Sequence, residues 1–162
     1  MANDAYPFTN FNFLVEIAPP KGLNLPDPLC TGAFSECDGL EMTMEPKTVR
    51  AGGKNTEQIH LVGPVTYGNL TLKRGMTSDL SLWIWFSSVV ATPKAGNRLR
   101  GALTHATITM CDAARKEEVV YQLEGCLPIK LKGSPLNAKD GVVAIEEMQI
   151  AYSYFTIAAG QG

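Results

Sequence analysis

The chain has 162 residues, 45% of them hydrophobic and 19% charged, and a formal net charge of −2. That is enough for a single domain over 1–162 with its own core, and too apolar for a disordered segment. The balance of 14 Lys and Arg against 16 Asp and Glu gives no electrostatic case for a nucleic-acid or acidic-lipid binder.

The opening Met1-Ala2-Asn3-Asp4-Ala5-Tyr6-Pro7 lacks the basic and apolar regions of a signal peptide. The expectation is synthesis in the cytoplasm without one, with any export by lysis or within a larger particle. Residues 8–17 predict a strand, with Phe11, Phe13, Val15 and Ile17 on one side and Asn10, Asn12, Leu14 and Glu16 on the other. Prolines 19, 20, 26 and 28 make 18–28 a surface loop. Residues 30–36 predict a short strand closed by the turn Asp38-Gly39. Extended structure resumes over 40–49, with Pro46 at an edge or bulge. Arg50-Ala51-Gly52-Gly53-Lys54-Asn55 reads as a flexible loop before a further strand at 57–62.

Residues 61–86 organise the rest. Leu70 and Leu72 alternate with Asn69, Thr71 and Lys73, a strand with one buried face. Gly75 suits a corner, and a helix over 78–91 follows, capped by Thr77 or Ser78, with Asp79 favourably placed at its N-terminal dipole. Leu80, Trp83 and Ile84 mark one face of that helix, and Leu82, Trp85, Phe86 and Val89 another. A helix apolar nearly all round must be covered on several sides, and this one is shorter than the roughly 20 residues a bilayer span needs. Thr92-Pro93 ends it. Residues 104–112 and 118–124 then form a predicted hairpin, 127–132 another strand, and 142–157 one long final strand. The expected fold is mainly β: two packed antiparallel sheets, sandwich- or barrel-like, with one principal α-helix.

Nothing in this pattern carries chemistry. Cys30, Cys37, Cys111 and Cys126 have no C-x-x-C spacing, and His60 and His105 have no second ligand near them, so no metal or cofactor is expected. The 50–55 loop lacks the spacing of a phosphate-binding loop, which makes it a turn or a subunit contact. No G-x-S-x-G elbow is present, and Glu146 and Glu147, adjacent on a strand, face opposite sides. The chain is not expected to be an enzyme. What stands out instead is self-association: long strand edges need covering, and so does the apolar helix. Arg50, Gly52, Gly53, Lys54 and Asn55 on the loop, and Trp83, Trp85 and Phe86 on the helix, are the candidate interface. Lys73 and Arg74 read either as a solvated strand end or as partners in a salt bridge across a subunit boundary.

Several segments in order carry a resemblance. Phe11-Asn12-Phe13-Leu14-Val15-Glu16, Cys37-Asp38-Gly39-Leu40-Glu41, the 50–55 loop and Gly63-Pro64-Val65-Thr66-Tyr67-Gly68 lead into Leu72-Lys73-Arg74-Gly75 and its Trp-bearing helix. This order resembles the tail tube proteins of contractile phages and the inner tubes of related contractile injection systems. The resemblance implies hexameric rings stacked into a rigid hollow tube, its lumen a continuous β-barrel shared among subunits. It also implies a surrounding sheath, a baseplate, a terminator, and cargo or DNA in the lumen, with no direct membrane anchor. The 50–55 and 18–28 loops are then candidates for contacts between stacked rings. The 18–28 loop is longer than the family needs, which leaves open a specialised layer next to the baseplate. Two readings of other classes compete: a small-ligand-binding β-barrel with Trp83, Trp85 and the tyrosines around an apolar pocket, and, behind it, a hydrolase.

Overall fold

The computed structural model describes residues 12–53, 56–91 and 102–161. Within them the chain forms β1 (Phe13–Ile17), β2 (Cys30–Gly32), β3 (Glu36–Asp38), β4 (Met42–Met44), β5 (Lys47–Arg50), β6 (Gln58–Leu61), β7 (Val65–Tyr67) and β8 (Leu70–Gly75). After these come α1 (Ser81–Ala91), β9 (Thr104–Cys111), β10 (Glu117–Lys132), β11 (Ile145–Ala151) and β12 (Tyr154–Ala159). Every strand pairing is antiparallel. Among the described residues the fold is mainly β with α1 as its principal helix, as expected.

The fold turns on β10. Sequence alternation predicts two strands here, separated by Gly125, but the structure has one strand of 16 residues with Gly125 inside it. Gly125 adopts φ +68°, where a side chain is strained, and a Cβ there would overlap the Ser153 side chain. The strand bends at this point and belongs to two layers. Its first half pairs with β9 on one side and β12 on the other, while its second half pairs with β11. The predicted final strand over 142–157 shows the converse. It is two strands, β11 and β12, broken at Tyr152-Ser153 opposite the Gly125 bend. Gly125→Ala is therefore expected to destabilise the chain by about 1–3 kcal/mol, from positive φ and overlap together. Urea unfolding of the variant against the parent measures it.

Eight strands thus form one bent sheet, in the order β2-β1-β9-β10-β11-β8-β3 with β12 beside β10. No closed barrel is present among the described residues. The bend folds the sheet over its own core of Val15, Ile17, Ile108, Leu123, Leu70, Leu72, Met148 and Ile150. These are the inward positions of an alternating pattern, seen most plainly in β8, where Leu70, Leu72 and Arg74 are buried and the residues between them are not.

Other boundaries move for local reasons. The predicted 40–49 strand is interrupted at Pro46, which has no N–H to give the ladder, leaving β4 and β5. The expected strand over 30–36 becomes β2 and β3. Gly75 is not a corner: it continues β8, paired with Ile145, and the Met76 N–H extends the ladder to the Ala144 carbonyl at 2.8 Å. The helix starts at Ser81 rather than 78, and Asp79 caps it, its carboxylate accepting the Ser81 N–H at 3.0 Å. Thr77 instead serves the turn, accepting the Asp79 N–H at 3.2 Å. Residues 8–11 and the 92–101 connection, including the proline stop at 92–93, lie outside the described residues.

Candidate assembly surface

Between β3 and β8 the chain leaves the core as a two-stranded arm. β4 pairs with β7 at its root, and β5 with β6 farther out, in a ribbon running from Met42 to Tyr67 and back through the turn after Arg50. Antiparallel partners point to the same side of a ribbon. Val49 faces Ile59 and Lys47 faces Leu61, while Thr48, Arg50, Gln58 and His60 lie on the opposite side. At the root, Met42, Met44, Val65 and Tyr67 share one side and Thr43 and Thr66 the other. Each ribbon therefore has an apolar face and a polar one. Yet Met42, Met44, Val49, Ile59, Leu61 and Val65 are all between 44% and 57% exposed. A two-stranded ribbon with nothing against its apolar face is at best marginally stable in water.

The arm is fixed at its root rather than loosely tethered. Tyr67 packs edge-on against Tyr152 and Phe155, with centroids 5.9 and 5.7 Å away. The Tyr152 hydroxyl donates to the Gly39 carbonyl at 2.6 Å, tying the outgoing leg of the arm to the β11–β12 break. Halfway along, the legs cross so closely at Gly63 that a Cβ would overlap the Glu45 carbonyl oxygen. The apolar face is thus held out from the body on a fixed root.

Among the described residues the helix is covered on one side only. Leu82 and Trp85 are in the core, at 1% and 0% exposure, and Trp83, Phe86 and Val89 are half-buried. Leu80, Ile84 and Val90 stay at 50–68% exposure. An ion cluster locks this element to the sheet. Arg74 donates from Nε to Glu146 Oε1, from Nη1 to Asp79 Oδ2 at 3.2 Å, and from Nη2 to the Asp79 carbonyl at 3.0 Å. Its guanidinium also lies 5.7 Å from the Phe34 ring centre. Trp83 Nε1 donates to the second oxygen of Glu146 at 2.8 Å. Burial works against the Arg74 charge, but the hydrogen bond to Glu146 and the surrounding negative charges outweigh it and raise its pKa. The Ser81 backbone N–H, foremost, and Arg74 hold the Asp79 carboxyl below its ordinary value.

The expected interface residues therefore separate into groups. Arg50, Gly52 and Gly53 sit at the exposed end of the arm, and Lys54 and Asn55 lie outside the described residues. Lys73 is half-buried and paired within its own chain to Glu36 at 3.1 Å. Neither reading of Arg74 describes it, since it is buried and its donors are used inside this chain. Trp85 belongs to the interior, and Trp83 to the ion cluster. Phe86 is half-buried on the helix. The residues that sequence reasoning missed are the apolar ones of the arm. Each strand there is only three or four residues long, and its alternation is legible only once the pairing is known.

No group of His, Cys, Asp and Glu among the described residues could hold a metal ion, and no described helix is long and apolar enough to cross a membrane. A half-open cleft of about 230 Å³ lies between the layers, lined by Phe13, Cys37, Leu40, Ile108, Met110 and Tyr121. Burial pushes the Cys37 thiol up to about 12. A surface groove of about 850 Å³ runs along residues 134–145 under Leu136, Val142 and Val143. Neither is lined by a tryptophan, as the ligand-barrel reading requires.

The chain is similar in fold to several solved structures. One is a chain of the anti-feeding prophage baseplate, at 24% identity and TM-score 0.77, covering 95% of this chain and 97% of that one. A second is from the PVC sheath-tube complex, an extracellular contractile injection system in the extended state, at 18% identity and TM-score 0.75, covering 96% and 94%. Hcp1 from Flavobacterium johnsoniae is more distant, at 9% identity and TM-score 0.50, covering 91% and 95%. No curated protein matches. The profile of the T4-like virus tail tube protein gp19 family matches residues 9–156, nearly the whole chain, and the chain belongs to that family.

Proposed function

We propose that this chain is the structural subunit of the hollow inner tube of a contractile phage tail or injection system. Copies form hexameric rings that share a barrel of strands around a lumen, and the rings stack inside a sheath between a baseplate and a terminator. Sheath contraction drives the tube through a target envelope with its cargo or DNA. The observation that carries this reading is the arm, a fixed ribbon whose apolar face no described residue of its own chain covers. A second copy is the natural cover in a family of tube proteins. The exposed side of α1 and the open loop over 134–145 add apolar surface available to neighbours or to the sheath. A ligand-binding barrel is not favoured, because the described residues form no closed barrel and the tryptophans line no described cavity.

Negative-stain electron microscopy with sedimentation velocity over a range of concentrations tests this. Rings or hollow tubes with a six-fold face are expected. A monomer at every concentration, including in the presence of baseplate components, would refute the reading.

A further inference from the structure

One strand register runs straight through the root of the arm. β3 pairs with β8 as far as Asp38↔Thr71, and β4 pairs with β7 from Met42↔Tyr67 onward. Gly39, Leu40 and Glu41 therefore lie against Gly68, Asn69 and Leu70 without a slip, and the arm is an outgrowth of the β3–β8 pair. At this level each leg carries a glycine. Gly39 has φ +99°, and a Cβ there would overlap the Asn69 carbonyl oxygen. Across from it, the Gly68 N–H donates to the Glu41 carbonyl at 3.2 Å. A ribbon bends most easily where both strands lack a side chain, because nothing packs there to oppose the bend.

What opposes it is one side chain from far along the chain. Tyr152 stands at the break between β11 and β12, opposite the Gly125 bend, and is 8% exposed. Its hydroxyl donates to the Gly39 carbonyl at 2.6 Å and accepts the Glu41 N–H at 3.4 Å, both on the outgoing leg. Its ring packs on Tyr67 of the returning leg, and both rings pack on Phe155. One residue thus holds both legs, the outgoing one by its polar tip and the returning one by its apolar body. Burial, foremost, raises the pKa of this phenol, so the hydrogen it donates stays in place.

We propose that Tyr152 is a positioning residue for assembly: it presets the direction in which the arm leaves the body, so that the apolar face meets another copy already ordered. The inference rests on the assembly proposed above and names the residue that prepares its contact. An arm held in that direction only part of the time binds as though diluted by the same fraction. Folding gains less from the hydroxyl, since the element it fixes leaves Met42, Met44 and Val65 uncovered in the monomer.

The test compares the full chain with Tyr152→Phe, which keeps the ring and removes the hydroxyl, and with Ile150→Val, which trims a core side chain at 0% exposure. Both variants are expected to stay folded and to melt slightly below the parent by circular dichroism. Only Tyr152→Phe is expected to change the arm. In dilute protein its Glu41 amide should exchange about tenfold faster than in the parent, the factor for one net hydrogen bond. The concentration at which rings or tubes first appear in micrographs should rise about tenfold with it, while Ile150→Val keeps the onset of the parent. Tyr152→Phe assembling at the parent's onset, or Ile150→Val shifted as far as Tyr152→Phe, would reduce Tyr152 to ordinary packing and leave the tube reading standing. A Tyr152→Phe chain that no longer folds would make the hydroxyl a folding element and overturn the proposal too. A parent that assembles at no concentration would overturn the tube reading and this proposal with it.

Discussion

Ile59→Glu with Leu61→Glu on the arm is expected to abolish the growth of rings into tubes while leaving the chain folded. Both positions are half exposed, and both lie on the apolar side of the outer ribbon. Within the monomer neither is a fully buried side chain, and the loss is that of half-covered cross-strand contacts, so stability should change by about 1 kcal/mol or less. Lys47 stands directly opposite position 61 and gives one new carboxylate a partner. Against a neighbour the balance reverses. Each side chain stands to gain about 1 kcal/mol from covering its exposed half, and each glutamate instead carries a desolvation cost of several kcal/mol. Repeated round a ring, that loss is decisive. Sedimentation velocity and micrographs of the double variant check it: single rings or smaller species are the expected result, and full-length tubes would show that the arm does not join layers.

The second large effect lies inside the chain. Arg74→Ala is expected to cost about 3–5 kcal/mol in urea unfolding of the monomer, because it leaves the buried Glu146 carboxylate without its counter-charge. Arg74→Met combined with Glu146→Leu should cost much less than Arg74→Ala, since no charge is then left stranded. If the double variant were instead the worse of the two, the pair would be a net source of stability rather than a lock for geometry. Asp79 adds a smaller, pH-dependent share. Its carboxyl is held below the ordinary value, so its contribution is fully present above pH about 4 and is lost as pH falls through the depressed value. It is more than half exposed, which keeps that share modest.

The aromatic and aliphatic alternation of β1, β8 and β9 was legible in the sequence because each is a run with one buried face, and period two is what such a run imposes. The apolar surplus of α1 was legible as well, and Ile84 and Val90 are the part of it that stays exposed. The long strand β10 was misread because Gly125 looks like a terminator in sequence, yet a positive-φ glycine also lets a strand bend without ending. Arg74 was ambiguous for a similar reason. Position 74 has the inward parity of Leu70 and Leu72, but whether a buried arginine is tolerated depends on Glu146, 72 residues away, and on the start of α1.

The sequence by itself determined the mainly β character, the principal helix and the order of segments that marks the family. These follow from local periodicity and short motifs, which need no partner to be read. Only the tertiary structure decided which strands share a layer, which edges stay open and which apolar side chains remain uncovered. Those properties depend on register between distant segments. A strand of three or four residues cannot state its own face, and an edge is an edge only when everything that could have covered it has been placed elsewhere.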